Sequence, residues 1–283
     1  MSTFILQVED LMVSFDGFKA LDISYFELRE KELRVVIGPN GAGKTTFMDV
    51  LCGKTKPQTG TAMMDGKDLT KLNEQQIVEL GVGRKFQTPS VFGSLSVFDN
   101  LLLALKTDRR VWRSLFYRLS GEGKDRIEEV AALVGLADHL GRDAAYLSHG
   151  QKQWLEIGML ILQDPKLLLI DEPAAGMTDE ETAKTGRLLT DLAEKHSIIV
   201  IEHDMEFVKQ LARQVTVLCE GKVLTEGPIE KVQEDPQVIE RYLGRSHGTR
   251  NERASKPALA GAASAAGGSS PAGASSLTGG AHG

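Results

Sequence analysis

"GPNGAGKTT", residues 38–46, is the stretch on which the fold turns. It fits the pattern G-x-x-x-x-G-K-[ST], with Gly38, Gly43, Lys44 and Thr45 at the fixed places. Glycines let a backbone turn its N–H groups inward around phosphate oxygens, because they tolerate conformations that a Cβ forbids. A lysine at this spacing reaches the β- and γ-phosphates, and the hydroxyl after it ligates Mg²⁺. The whole run Gly38, Pro39, Asn40, Gly41, Ala42, Gly43, Lys44, Thr45, Thr46 is therefore assigned to nucleotide binding. Its context agrees, since the short apolar strand "LRVVI" precedes it and the helical "TTFMDVLCG" follows.

A phosphate loop of this kind needs an acid for its metal. "LLLIDEP" at 167–173 has four apolar residues followed by Asp171 and Glu172 at the carboxyl end of a strand. Open α/β sheets bind their ligands at that end. Asp171 is placed to hold the Mg²⁺ shell through water, and Glu172 is placed to polarise an attacking water as general base.

Away from these motifs the chain has an ordinary globular make-up, with 41% hydrophobic and 25% charged residues. Its apolar runs, such as "IIVI" at 198–201, fall far short of the roughly 20 residues that span a bilayer. "MSTFILQVEDL" lacks the basic-then-apolar pattern of a secretory signal, and Cys52 and Cys219 suggest neither a metal site nor a disulfide framework. The expectation is a soluble cytoplasmic protein. The net charge is −6, and residues 246–283 hold three cations against Glu252 alone, so the acidic excess lies in residues 1–245. An acidic body argues against general nucleic-acid binding, which needs a basic face.

Hydrophobic period divides the chain. "FILQVEDLMVSF" at 4–15 alternates as an antiparallel strand does. "LLLIDEP" and "SIIVIEH" are continuous apolar strands joined by the helical "DEETAKTGRLLTDLAEKH", which makes a βαβ unit. Residues from about 88 to 162 read as mostly helical, so an α/β core with an inserted helical subdomain is expected within 1–245. Residues 246–283, rich in Gly, Ala and Ser, are expected to be a disordered tail.

"LSHGQ" at 147–151 poses a further question. Ser148 with Gln151 three residues on is a helix capping box, and the same tip offers a hydroxyl and open N–H groups to an anion. The two readings are compatible. The motif resembles the LSGGQ signature of ABC-type ATPases. The order of phosphate loop, glutamine loop, signature, "IDEP" and downstream histidine also resembles their nucleotide-binding domain over residues 1–245. That resemblance implies an α/β fold of the P-loop NTPase class, an ABC cassette with an antiparallel β subdomain, a parallel-sheet core and an inserted helical subdomain.

The resemblance also implies roles. Two cassettes would pair head to tail, so that Ser148, His149, Gly150 and Gln151 serve the ATP held by the partner's phosphate loop. Gln87 in "RKFQTPSVF" matches the glutamine that senses Mg²⁺ and water, giving Thr45, Gln87 and Asp171 as the metal set. Catalysis would rest on Glu172, His203 and Gln87, with His203 in "IVIEHDM" matching the histidine at the γ-phosphate. Phe15 matches the aromatic that stacks on adenine, although Phe18 is near and a core role is a rival. His149 stands where the family usually has glycine, and Thr178 where it has aspartate.

"FQTPSVFGSLSVFDNLLLAL" and "EGKVLTEGPIEKVQEDPQVIERYLG" resemble the branched-chain amino acid and amide importer group. The stretch 147–178 resembles in particular the D-type ATP-binding subunit of urea importers. These likenesses imply ATP and Mg²⁺ as cofactors and a second ATPase subunit, identical or different. They further imply two membrane permease subunits, a periplasmic solute-binding protein, and a place on the inner face of the plasma membrane. The resemblance implies uptake of a small nitrogenous solute, urea; branched-chain amino acids or short amides are the alternative cargo, and a non-transport ABC ATPase or a nucleotide-dependent scaffold is the alternative class.

Overall fold

A computed structural model describes residues 4–87, 90–105 and 121–240. The expected tail at 246–283 lies outside the described residues. Two long strands, β1 (Phe4–Phe15) and β2 (Phe18–Arg29), open the chain as an antiparallel hairpin. Asp16 and Gly17 join them with φ of 48° and 86°, the positive pair that a type I′ hairpin turn takes. β4 (Thr59–Met64) and β5 (Lys67–Asp68) extend this sheet in the order β2-β1-β4-β5.

The second sheet has six strands. β3 (Leu33–Ile37), β6 (Val82–Lys85), β7 (Leu167–Asp171), β8 (Ser197–Ile201), β9 (Gln214–Cys219) and β10 (Lys222–Gly227) run in the order β10-β9-β3-β8-β7-β6. All neighbours pair in parallel except β10 with β9. The apolar runs are continuous because this sheet is covered on both faces. Leu168, Ile170, Ile198 and Val200 belong to one core, whereas Leu167, Leu169, Ile199 and Ile201 belong to the other. Period-two alternation thus survives inside the apolar runs 167–170 and 198–201, where no polar residue reveals it.

Helices occupy the first of those cores. Between β6 and β7 lie α3 (Val97–Ala104), α4 (Gly121–Leu133) and α5 (His149–Ile161), and the extended pairing described there is the isolated bridge Ser96–Asp143. Val97, Leu101, Ile127, Val130, Trp154 and Ile157 bury one against another in this insertion. Further helices among the described residues are α1 (Lys44–Leu51), α2 (Glu74–Leu80), α6 (Asp179–Ala193), α7 (Met205–Leu211), α8 (Ile229–Glu234) and the short α9 (Pro236–Val238). No helix among the described residues is long and apolar enough to cross a membrane.

β7, between β8 and β6, is buried on both faces. Leu168→Ala, at a fully buried position of β7, is expected to lower the unfolding free energy by about 2–5 kcal/mol. Chemical denaturation of the two proteins side by side checks this, and a loss below about 1 kcal/mol would mean that the site collapses around the missing side chain.

Candidate active site

The loop after β3 and the first turn of α1 bring residues 38–46 to the carboxyl edge of the parallel sheet. Gly38 has φ 156°, and a Cβ there would stand 2.1 Å from the carbonyl oxygen of Leu218. Gly43, with φ 97°, would place a Cβ 2.5 Å from the carbonyl oxygen of Ala20. Both positions therefore demand glycine by contact as well as by conformation. α1 then starts with no side-chain cap on its first turn. Its N–H donors and the positive end of its dipole are left for an anion, which is the fit that a nucleotide phosphate requires. Lys44 lies over this loop, its Nζ donating to the carbonyls of Gly38 at 2.7 Å and Pro39 at 3.0 Å. Burial lowers the Lys44 pKa, against the opposing pull of Glu172 and Asp171.

The second component is the end of β7. Asp171 is buried, and burial raises its pKa while Arg84, with Nη2 at 4.0 Å, works against that rise. Arg84 also binds Asp49 of α1 at 2.5 Å, which links the helix after the phosphate loop to the acid of the next strand. Glu172 has φ 44°, a left-handed conformation that costs an ordinary residue about 1–2 kcal/mol. Strain of this kind concentrates at functional sites, where the surrounding structure holds it in place.

Glu172 is held from three sides. Its N–H donates to the carbonyl of Ile201 at 3.0 Å. Gln87 Nε2 donates to its Oε2 at 2.7 Å, and His203 Nδ1 lies 3.3 Å from its Oε1. The three residues read separately from sequence thus meet on one carboxylate. With Gln87 and His203 exposed and Glu172 half-buried, water reaches the group. Such a carboxylate can accept a proton from water, and its amide and imidazole neighbours can orient that water. Thr45 and Asp171 supply the hydroxyl and carboxylate oxygens that suit Mg²⁺, and Gln87 supplies an amide oxygen.

The signature segment stands apart. Ser148 caps α5, accepting from the Gln151 N–H at 3.1 Å while Gln151 Oε1 accepts from the Ser148 N–H at 2.9 Å. Ser148 donates its hydroxyl proton to Glu181 Oε1 at 3.1 Å. His149 is exposed, and its Nε2 lies 3.1 Å from the carbonyl oxygen of Ala175. Gly150 is buried. Thr178, the departure from aspartate, is the N-cap of α6 and forms a capping box with Glu181. Phe15 is 51% exposed and Phe18 67%, so neither serves the core.

Several residues of the neighbourhood went unread in the sequence. Glu202 is 1% exposed and accepts from the N–H groups of His203 at 3.1 Å and Ala174 at 3.3 Å, tying the end of β8 to the loop after Glu172. Burial raises its pKa. Lys85 is fully buried, donates to the carbonyl of Phe86 at 3.0 Å and lies 4.0 Å from Glu156 of α5. Glu156 in turn accepts from the Ser90 N–H at 3.3 Å, which joins the signature helix to the segment of Gln87. A charge ending an apolar strand, as in "VIEH", was the available signal for Glu202; the others carried none.

A phosphate loop, a strand-end acid pair and a capped signature helix on one mixed sheet define an ATP-binding cassette. The ABC transporter family matches residues 21–175, and the chain belongs to that family. It is an ABC-type ATPase. Over 255 residues it is 37% identical to the high-affinity branched-chain amino acid transport ATP-binding protein LivG of Salmonella typhimurium, covering 87% of this chain and 100% of that protein. The corresponding protein BraF of Pseudomonas aeruginosa is 33% identical over 255 residues, with the same coverage of 87% and 100%. Among solved structures, a nucleotide-free cassette from an ABC transporter superposes with TM-score 0.74 at 28% identity, covering 85% of this chain and 99% of that one. The ADP conformation of another cassette gives TM-score 0.75 at 29% identity over 86% and 100%.

Two substitutions separate binding from chemistry. Glu172→Gln keeps the Gln87 side of the site and removes the base, so ATP binding is expected to persist while turnover falls by about 10²–10⁴-fold. Lys44→Ala is expected to weaken nucleotide binding by at least tenfold, about the 1.4 kcal/mol of one charge-assisted contact. Equilibrium nucleotide binding and phosphate release measured on both variants check the assignment, and wild-type turnover in Glu172→Gln would remove the general base.

Proposed function

We propose that the chain is the ATP-hydrolysing subunit of an importer for small nitrogenous solutes, with branched-chain amino acids as the first cargo class. The observation that carries this reading is the alignment along the entire length of relatives named for branched-chain amino acid transport. In this reading residues 38–46 hold the ATP phosphates, Phe15 takes the adenine face, and Thr45, Asp171 and Gln87 hold Mg²⁺, which supplies charge neutralisation at the phosphates. Glu172 takes the proton of the attacking water, and Gln87 and His203 set its direction. Ser148, His149, Gly150 and Gln151 face the nucleotide of a second cassette. ATP then favours a closed pair, because its terminal phosphate touches both subunits in the closed state and one in the open state.

The helical insertion within 88–162 passes that closure to two permease subunits, which places the chain on the inner face of the plasma membrane beside a periplasmic solute-binding protein. A second cargo reading is urea. It is supported by the likeness of residues 147–178, including His149 within the signature, to the urea-importer subunit, although the relatives above are named for amino acids.

Growth of a deletion strain decides the cargo. With urea, short amides or branched-chain amino acids in turn as limiting nitrogen source, loss of growth is expected on the imported solute and not on the others. Unimpaired growth on all of them, with the permease partners expressed, would refute import of this solute class.

A further inference from the structure

The capping box leaves Ser148 with a single proton to give. Its oxygen already accepts from the Gln151 N–H, and a hydroxyl carries one O–H donor. That donor is directed at Glu181 Oε1 at 3.1 Å. Glu181 approaches so closely that a Cβ on Gly150 would stand 2.7 Å from its carboxylate. The acid therefore lies at the positive end of α5, where an anion is favoured by the helix dipole. Its other oxygen accepts from the Thr178 N–H at 3.1 Å and the Thr178 hydroxyl at 3.3 Å. The Thr178 N–H, with help from Ser148 and against burial, holds its pKa below the ordinary glutamate value, so Glu181 is an anion at neutral pH.

We propose that Glu181 is a positioning residue that acts as an internal stand-in for phosphate on the signature, released when the partner's ATP arrives. This rests on the reading that the signature receives nucleotide from a second cassette. A carboxylate oxygen and a phosphate oxygen compete for the same Ser148 proton and the same helix end, and their like charges repel at that distance. Closure therefore requires the Glu181 carboxylate to turn away, and ATP must outcompete it. Because the same side chain caps α6 through Thr178, its release also frees the start of that helix.

Glu181→Gln isolates the charge. Glutamine at the third helical position still completes a capping box, but it makes a weaker, neutral contact with Ser148. In the assembled importer carrying Glu172→Gln, the ATP concentration for half-maximal nucleotide trapping is expected to fall about five- to tenfold when Glu181→Gln is added. Glu181→Ala, which removes charge and cap together, is expected to shift it in the same direction. ATP affinity of the isolated full-length chain, read at its own phosphate loop, is expected to stay within about twofold. An unchanged or higher trapping midpoint in both variants, or an equal change in single-chain affinity, would overturn the role of Glu181 while leaving the two-cassette grip intact. Absence of any trapped nucleotide in the Glu172→Gln importer would instead overturn that grip and this inference with it.

Discussion

The architecture depends on β7 being apolar on both faces and polar only at its end. Leu167, Leu168, Leu169 and Ile170 are fully buried, two toward each core, and the chain turns polar at Asp171 and Glu172 where the sheet stops. A strand covered on both sides cannot slip by one residue without moving every side chain into the other core. The register that fixes Leu169 opposite Ile199 therefore also fixes Asp171 opposite Ile201. The Glu172 N–H then continues the pairing to Ile201, which sets the backbone from which the carboxylate meets Gln87 and His203. Precision at the site is inherited from packing that contains no chemistry.

Around that strand end the protein gathers charges that burial penalises. Lys44 and Lys85 are pushed down in pKa by desolvation, and Asp171, Glu156 and Glu202 are pushed up by it. Opposite charges offset part of each penalty, since Asp171 counts Arg84, Lys85 and Lys44 among its neighbours. Buried ions of this kind contribute little net stability, but removing one partner leaves the other unpaired at high cost. The arrangement makes the position of each element conditional on its neighbours. Arg84 on β6 holds Asp49 of α1, and Lys85 beside it approaches Glu156 of α5. Adjacent residues of one short strand thereby connect the phosphate-loop helix and the signature helix.

Much of this was legible in sequence because it rests on local requirements. The phosphate loop, the acids after an apolar strand and the capping box each need particular residue types at fixed spacing, and all three fold as that spacing demands. β6 was not legible. Its "VGRK" offers two charged residues where a buried strand would show apolar ones, and they are accommodated by tertiary partners, Asp49 for Arg84 and Glu156 for Lys85. Glu181 was hidden for a different reason. It lies 33 residues from Ser148, and a helix-capping glutamate has the same local pattern whether or not its second oxygen reaches another helix.

The two departures from the family pattern have one structural consequence. His149 reaches the carbonyl of Ala175, and Thr178 begins α6 while holding Glu181 against Ser148. Both therefore fasten the segment after Glu172 to the tip of α5. A glycine at 149 has no side chain to make the first contact. An aspartate at 178 retains the ability to cap α6, but it would set a second carboxylate beside Glu181 and oppose that acid's approach to the helix tip. Threonine caps without charge, so the acid remains free to satisfy Ser148. The signature and the segment following β7 are in this way coupled within one chain before any second chain is present, and a ligand that captures the Ser148 proton acts on both.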